Sequence, residues 1–464
     1  MRLLLYIAFA AVLIAAIAPH DARRLLTKLW HAVPGQSRPS LPPRLAEPEP
    51  LRITIAGRTH LLRLDALQRF GATPREELCT ESSDEGRANA CGRVVAGFPP
   101  GDAALLQAAV VLEGAGKANP AERLARLRDA NGLVLMGLRS GAFAGTPNLP
   151  AFAYGRVADQ ADNGRVHEIA AELAQASAGL CDEDDDDCRM VALQSAGRSL
   201  VAAGRWFNDA RRLQAAAELL ASTQATMRTP IAAADRFDLA NDIGNAYSYA
   251  STFAAPEQRV PLIARAIAAY EAELPYAEAQ APSFDSGKLW QNLGAAYVDR
   301  GVLTGDRRDF ERGLALYEKS LPLFDRTRNR SSWARSMSNM GAARGQLGLA
   351  AADLAIHEQG LREQRESIAA FEAGEERLDA AYGRYRLALG LSQMAQTADR
   401  LAGQVPAEEE TRRAELSAVA ARSRRDALAV LVEAAETFRR SGSRDYLARV
   451  ERLTAEIRRS LPEE

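Results

Sequence analysis

From Met190 onward, a glycine embedded in an apolar helical face recurs at a long and nearly constant interval. The copies are Ala196-Gly197, Ile243-Gly244, Leu293-Gly294, Met340-Gly341 and Leu389-Gly390, separated by 47, 50, 47 and 49 residues. The clearest copy is Leu289 to Gly301, where Trp290, Leu293, Gly294 and Tyr297 follow the three-and-four spacing that lines up one face of an α-helix. A glycine inside a helix costs about 1 kcal/mol relative to alanine. Its placement is explained if a second helix packs so close that a side chain would clash. A second pattern supplies that helix: a small residue four places before an aromatic one, at Ala266 and Tyr270, Gly313 and Tyr317, Ser367 and Phe371, Ala434 and Phe438. The small residue lets two backbones approach while the ring fills the groove beside them. Paired helices repeating with this period predict a mainly α chain stacked as a solenoid.

The residues of the clearest copy also carry a family likeness. Trp290, Leu293, Gly294 and Tyr297 match the W-x2-L-G-x2-Y half of the tetratricopeptide repeat, and Gly313 with Tyr317 resembles its later A-x3-F half with glycine for alanine. The other copies are degenerate. The intervals exceed the family period of about 34 residues, so the helices or their turns must be extended. The resemblance covers roughly residues 190–440 and implies a TPR-like array of antiparallel helix pairs. In this family the first helix of each pair lines a concave groove. The implied lining is Asp238, Asn241, Asn245 and Ser248, then Lys288, Gln291, Ala295 and Val298, then Arg335, Ser338, Ala342 and Gly345.

Within that lining the candidate peptide-binding residues are Asn241, Asn245, Lys288, Gln291 and Arg335, with Asn292 and Asn339 at the groove edge. Side-chain amides can bond the backbone of an extended peptide, while lysine and arginine can pair with a carboxylate. The arrangement is similar to the family's peptide-carboxylate clamp, with Asn339 standing where clamp members carry a further cation. Leu387, Leu391 and Met394 of the last copy read as core. Arg444 to Arg459 places Leu447, Val450, Leu453 and Ile457 at helical spacing among charged residues, as expected of a helix that caps an open stack. Glu408 to Arg425 reads as a charged, solvated helical face.

The N-terminal part is organised differently. Leu3 to Ala18 is an uninterrupted apolar run, long for a signal-peptide core and short for a membrane span of about 20 residues. Residues 1–20 are therefore a signal peptide or a membrane anchor, and residues 21–50 a linker with a proline-rich stretch that acts as an extended spacer. Residues 51–160 form a small α+β region. Leu51 to Leu64 alternates around Gly57 as a hairpin, Arg93 to Phe98 suggests a further strand, Asp102 begins a helix, and Asn119-Pro120 caps another that runs to about Ala130. Residues 161–442 hold the repeats and residues 443–464 the cap. Of the five histidines, His167 opens HEIAA without the second histidine of a metalloprotease helix and reads as a surface residue.

Four cysteines fall in two local pairs, Cys79 with Cys91 and Cys181 with Cys188, and their spacing suits local disulfides better than zinc or redox motifs. Disulfides fit an oxidising compartment, the periplasm of a bacterial envelope. The loop CDEDDDDC at 181–188 is either solvated or a loose cation site; counted from Asp182, Asp187 and Leu193 stand where a calcium loop needs glycine and glutamate. Charge excludes other classes: 58 basic against 60 acidic residues, net −2, gives no reason to expect nucleic acid. No nucleotide-binding, hydrolase or zinc-protease motif occurs and no cofactor is called for. The expectation is a non-enzymatic scaffold or adaptor that binds a partner protein or peptide and meets the membrane through its N-terminal segment. The alternative is an extracytoplasmic sensor or regulatory module, with an enzyme site in residues 51–160 as a lesser one.

Overall fold

In the computed structural model the described residues are the strands Leu51–Ile55 and Arg58–Leu62, positions 104, 108, 111 and 112, residues 120–139 and, with short gaps at 180, 182–184, 228–230, 232 and 442, residues 164–461. Those outside include the apolar N-terminus, the proline-rich linker, the strand expected at Arg93 to Phe98 and the Cys79 and Cys91 pair. The described residues all belong to one compact unit, within residues 49–464. The expected hairpin is present: β1 (Leu51–Ile55) pairs antiparallel with β2 (Arg58–Leu62), Ile53 opposite His60. Helix α1 (Pro120–Arg139) opens on its proline as expected but continues two turns beyond Ala130, with Ala130, Leu133 and Val134 buried.

The remainder is a run of helices. They are α2 (Gly164–Ala178), α3 (Asp186–Phe207), α4 (Ala210–Thr226), α5 (Ala233–Phe253), α6 (Pro256–Glu271), the short α7 (Leu274–Ala279), α8 (Phe284–Thr304), α9 (Arg307–Ser320), α10 (Arg330–Ala351), α11 (Leu354–Ala373), α12 (Arg377–Gln404), α13 (Glu410–Ser441) and α14 (Arg444–Arg459). The last coincides with the expected cap and buries Val450, Leu453 and Ile457. Apart from α7, each helix packs on the next, and α3, α5, α8, α10, α12 and α14 also touch one another in succession. Successive second helices, α4, α6, α9, α11 and α13, make no comparable contact. The first helices therefore form the tighter, inner layer of a solenoid.

The embedded glycines explain the close crossing within each pair. A Cβ on Gly244 would lie 2.2 Å from the Tyr270 ring, one on Gly197 2.5 Å from Leu220, and one on Gly341 2.5 Å from the Gly360 carbonyl. One on Gly294 would lie 3.1 Å from the Gly313 carbonyl and 3.2–3.3 Å from the Tyr317 ring. Gly197, Gly244, Gly294 and Gly341 thus hold equivalent places in consecutive pairs. Two parts of the pattern are corrected. Across Gly341 lies Gln364, not Phe371; Ser367 and Phe371 sit one and two turns further along α11, where the Ser367 hydroxyl donates to the Ala334 carbonyl at 2.7 Å. Gly390 does not face its own second helix but packs back on Leu361 and Gln364 of α11, and the fully buried Ala388 is the small residue that follows at the repeat distance.

A turn device recurs that the glycine pattern did not reveal. Asn208, Gly305 and Ala352 take left-handed conformations at the ends of α3, α8 and α10. Each is followed by an aspartate, Asp209, Asp306 or Asp353, that accepts backbone N–H groups of the next helix at 2.8–3.3 Å. Such a cap satisfies donors that a helix start otherwise leaves free. The same turn bends three pairs alike. Three apolar clusters link the array end to end: α4 to α9, then α9 to α12, then α11 to α14. No pair has a closed core of its own, as expected of a stack.

One residue departs from its surface reading, and one expected bridge forms. His167 is buried in α2, 8% exposed. At the acidic loop the Cys181–Cys188 disulfide forms, and Asp185 caps α3 by accepting from the Cys188 N–H at 2.8 Å. Among the described residues no group of histidine, cysteine or carboxylate side chains could hold a metal, and no helix is long and apolar enough to cross a membrane.

Gly244→Ala and Gly341→Ala each destabilise the fold by about 1–3 kcal/mol through overpacking. Gly403→Ala, with nothing within 4 Å of the added methyl, is neutral or stabilising by up to about 1 kcal/mol in the same denaturant titrations. His357, 1% exposed and hydrogen-bonded to Thr397 at 3.0 Å, is held down to about 4 from 6.5 chiefly by burial, with Asp353 opposing and Arg400 assisting. Between pH 6.5 and 4 the unfolded chain binds a proton that the folded chain refuses, so stability falls with pH across that window by about 3 kcal/mol. His357→Gln flattens this part of the stability profile.

Candidate functional site

The inner layer is where the first helices present polar side chains at related positions, and most of these side chains reach a neighbouring first helix. Gln194 and Arg198 of α3 donate to Asp242 of α5 at 2.9 and 2.7 Å. Lys288 of α8 meets Asp238 of α5 at 2.9 Å and its own helix's Asp285 at 3.0 Å. The Asn292 amide donates to Asn241 at 3.0 Å, and Arg386 of α12 donates to Asn339 of α10. Arg335 approaches Asp379 at 3.5 Å. These links join α3 to α5, α5 to α8 and α10 to α12.

The expected site residues are brought to this layer in different states. Asn241 is buried, and Asn292 and Asn339 serve as cross-helix partners. Asn245 is half-buried and accepts from the Tyr270 hydroxyl at 2.9 Å, so the ring that crosses Gly244 ends on the neighbouring residue of the same helix. Gln291 is buried, 8% exposed. Lys288 is shared by two carboxylates: burial works against its ammonium, but the hydrogen bonds to Asp238 and Asp285 raise its titration overall. Arg335 is the most exposed of the set, with 58% of its side chain accessible. The cations of the clamp-like arrangement are already matched by Asp238, Asp285 and Asp379, which the glycine register alone does not reveal.

Asp299 is a functional candidate that spacing arguments missed. It lies five residues after Gly294 on the exposed side of α8, where the surrounding helices partly desolvate its carboxyl. That desolvation pushes its carboxyl up to about 6, against the pull of Arg386. The same Arg386 acts on the Tyr317 hydroxyl of α9, whose titration burial drives far upward. Asp242 is raised by burial too, with Arg198 opposing. The inner layer is thus a mixed-charge, partly desolvated surface. Its sequence signal is a carboxylate at the position five after the glycine, visible only once the register is known.

Charge pairs buried inside the pairs of helices have a different task. Arg236 grips Glu273 at 2.9 and 3.2 Å, and Glu273, 2% exposed, also accepts from Gln224 at 3.0 Å. Arg300 holds the buried Asp309 at 2.6 and 2.8 Å, and Arg344 holds Glu363 at 2.8 Å. These fix second helices to first ones.

The packing makes this chain a helical-repeat protein. No protein-family model and no curated protein matches it. Among solved structures it is similar to a protein described as a circular tandem repeat protein with novel repeat topology and enhanced subunit contact surfaces, at 15% identity over 78% of this chain and 96% of that one, with a TM-score of 0.29. The assignment of class rests on the helix packing, not on that likeness.

The two kinds of charge pair separate in thermal and chemical unfolding. Arg236→Ala leaves Glu273 buried without its cation and costs about 3–5 kcal/mol. Lys288→Ala, at a solvated pair where Asp238 keeps Arg198 at 3.5 Å, costs no more than about 1 kcal/mol.

Proposed function

We propose that this chain is a non-enzymatic protein-interaction scaffold, a long-period relative of the tetratricopeptide arrays, which holds a segment of a partner protein against the inner layer of first helices. The observation that carries the proposal is the inner layer itself. Its side chains are polar, partly desolvated and held by hydrogen bonds and ion pairs between first helices, while much of the apolar surface of the helices is taken up by stacking. A surface of this kind can bind by complementary charge and hydrogen bonds without reorganising. In this reading Asn241, Asn245, Lys288, Gln291, Asn292, Arg335 and Asn339 shape and polarise the groove, and Arg335 is the member best placed to exchange Asp379 for a ligand carboxylate.

The disulfide between Cys181 and Cys188 supports a placement outside the cytoplasm, because such bridges persist in oxidising compartments. We place the scaffold in a bacterial envelope, tethered or released according to the fate of its first 20 residues.

A photo-crosslinking amino acid separates the faces. Introduced at Ser248, Ala295 or Ala342 of the first helices, it captures the partner protein; introduced at the exposed Ala264 or Ala315 of the second helices, it does not. Capture from the second helices alone, or from neither set, would remove the proposal.

A further inference from the structure

The capping helix α14 turns Val450, Leu453 and Ile457 inward, where they join one apolar cluster with side chains of α12 and α13. Beside that buried stripe a groove of about 340 Å³ lies between α13 and α14. Its apolar lining includes the buried Leu431 and Val450 and also Val432, which at 67% is the most exposed large apolar side chain among the described residues. Two charges of opposite sign line the same groove, Glu451 and Arg458, and both are exposed. Among the described charged side chains of α14, only these two do so.

Their spacing carries the argument. Glu451 and Arg458 are seven residues apart, two turns or about 10.5 Å along the helix. Midway between them stand Thr454 and Ala455, which also line the groove and are small enough to let a second helix approach closely. An antiparallel copy of α14, related by a two-fold axis through that midpoint, sets Glu451 of each copy against the partner's Arg458. The same axis sets Thr454 against the partner's Ala455. A parallel copy would instead bring Glu451 to Glu451 and Arg458 to Arg458. The stripe therefore complements itself in one orientation and repels itself in the other.

We propose that this face of α13 and α14 docks a second copy of the chain, with the two capping helices antiparallel and two Glu451–Arg458 ion pairs flanking a contact made by Thr454, Ala455 and Val432. A two-fold contact of this kind is closed: one patch serves both copies and leaves no free edge from which a filament could grow. The charges set the orientation, and removal of Val432 from water supplies the apolar gain. One helix face and one valine amount to less than the roughly 800 Å² per partner of a standard interface, so the dimer is weak and assembles at micromolar concentrations. The contact is remote in sequence from the clamp-like residues and does not depend on the scaffold reading.

The test is sedimentation equilibrium of the full chain between about 1 and 100 µM, the range in which a micromolar dimer is part dissociated. Wild type behaves as monomer and dimer in exchange. Glu451→Arg or Arg458→Glu alone makes both cross-pairs repulsive and weakens self-association about tenfold or more, whereas the two changes together rebuild the pairs in reverse and restore it to within about threefold. Val432→Asp leaves monomer. All three positions are exposed, so each variant keeps the wild-type melting curve. A monomer at every concentration, an assembly indifferent to the single reversals, or one that the double reversal fails to restore would overturn the proposal. In cells, a photo-crosslinking amino acid at Val432 joins two copies of the chain; adducts with a different protein alone would overturn it in favour of a partner at this groove. None of these results bears on the inner layer, which the crosslinks from Ser248, Ala295 and Ala342 test separately.

Discussion

The crossing of a second helix over a glycine of the first is the contact on which the architecture depends. At Gly244 the Tyr270 ring occupies the space where a side chain would stand, and at Gly341 a backbone carbonyl from Gly360 does so. Such proximity puts the two backbones of a pair closer than any larger residue allows. Each pair then presents a regular edge to the next, and the apolar interior passes from cluster to cluster without a break. The stability of any one pair is borrowed from its neighbours, which is the thermodynamic meaning of a repeat stack.

Polar chemistry is divided by depth. Between first and second helices, Glu273, Asp309 and Glu363 are buried and gripped by Arg236, Arg300 and Arg344, so each is a fixture of the fold. Along the inner layer the pairs are shallower and connect successive repeats. Lys288 with Asp238 and Asn292 with Asn241 fix the spacing of α5 and α8 as much as they shape a surface. A residue there can serve both purposes, since a rigid, pre-oriented polar layer loses little freedom when a partner arrives.

Much of the array was legible in sequence because its signals are local. The three-and-four spacing around Gly294, the small residue before Tyr270 and Tyr317, and the amphipathic run from Arg444 to Arg459 all concern residues within a few turns of each other. Failures arose where the signal was not local. Gly390 has the right flanking residues but faces the preceding helix, because α12 is long and the small residue at the repeat distance is Ala388. Gln364 takes the place of an aromatic ring because its aliphatic stem can lie across Gly341 as a ring does elsewhere. The aspartates after Asn208, Gly305 and Ala352 carried a usable turn signal that the glycine register overshadowed. His167 was misjudged because its burial depends on what packs over α2.

For the candidate site the division is sharper. Sequence alone determined that the chain forms long helices in pairs, which faces are apolar, where the stack is capped, and which side chains occupy the first-helix positions. These follow from periodicity and from the steric demands of glycine, both properties of short segments. Only the tertiary structure decided that Lys288 is matched by Asp238, fifty residues away, that the Tyr270 ring lies across Gly244, and that Gly390 packs back on α11. Charge pairing and desolvation act through space, and the superposition of successive repeats sets those distances, which no one repeat encodes.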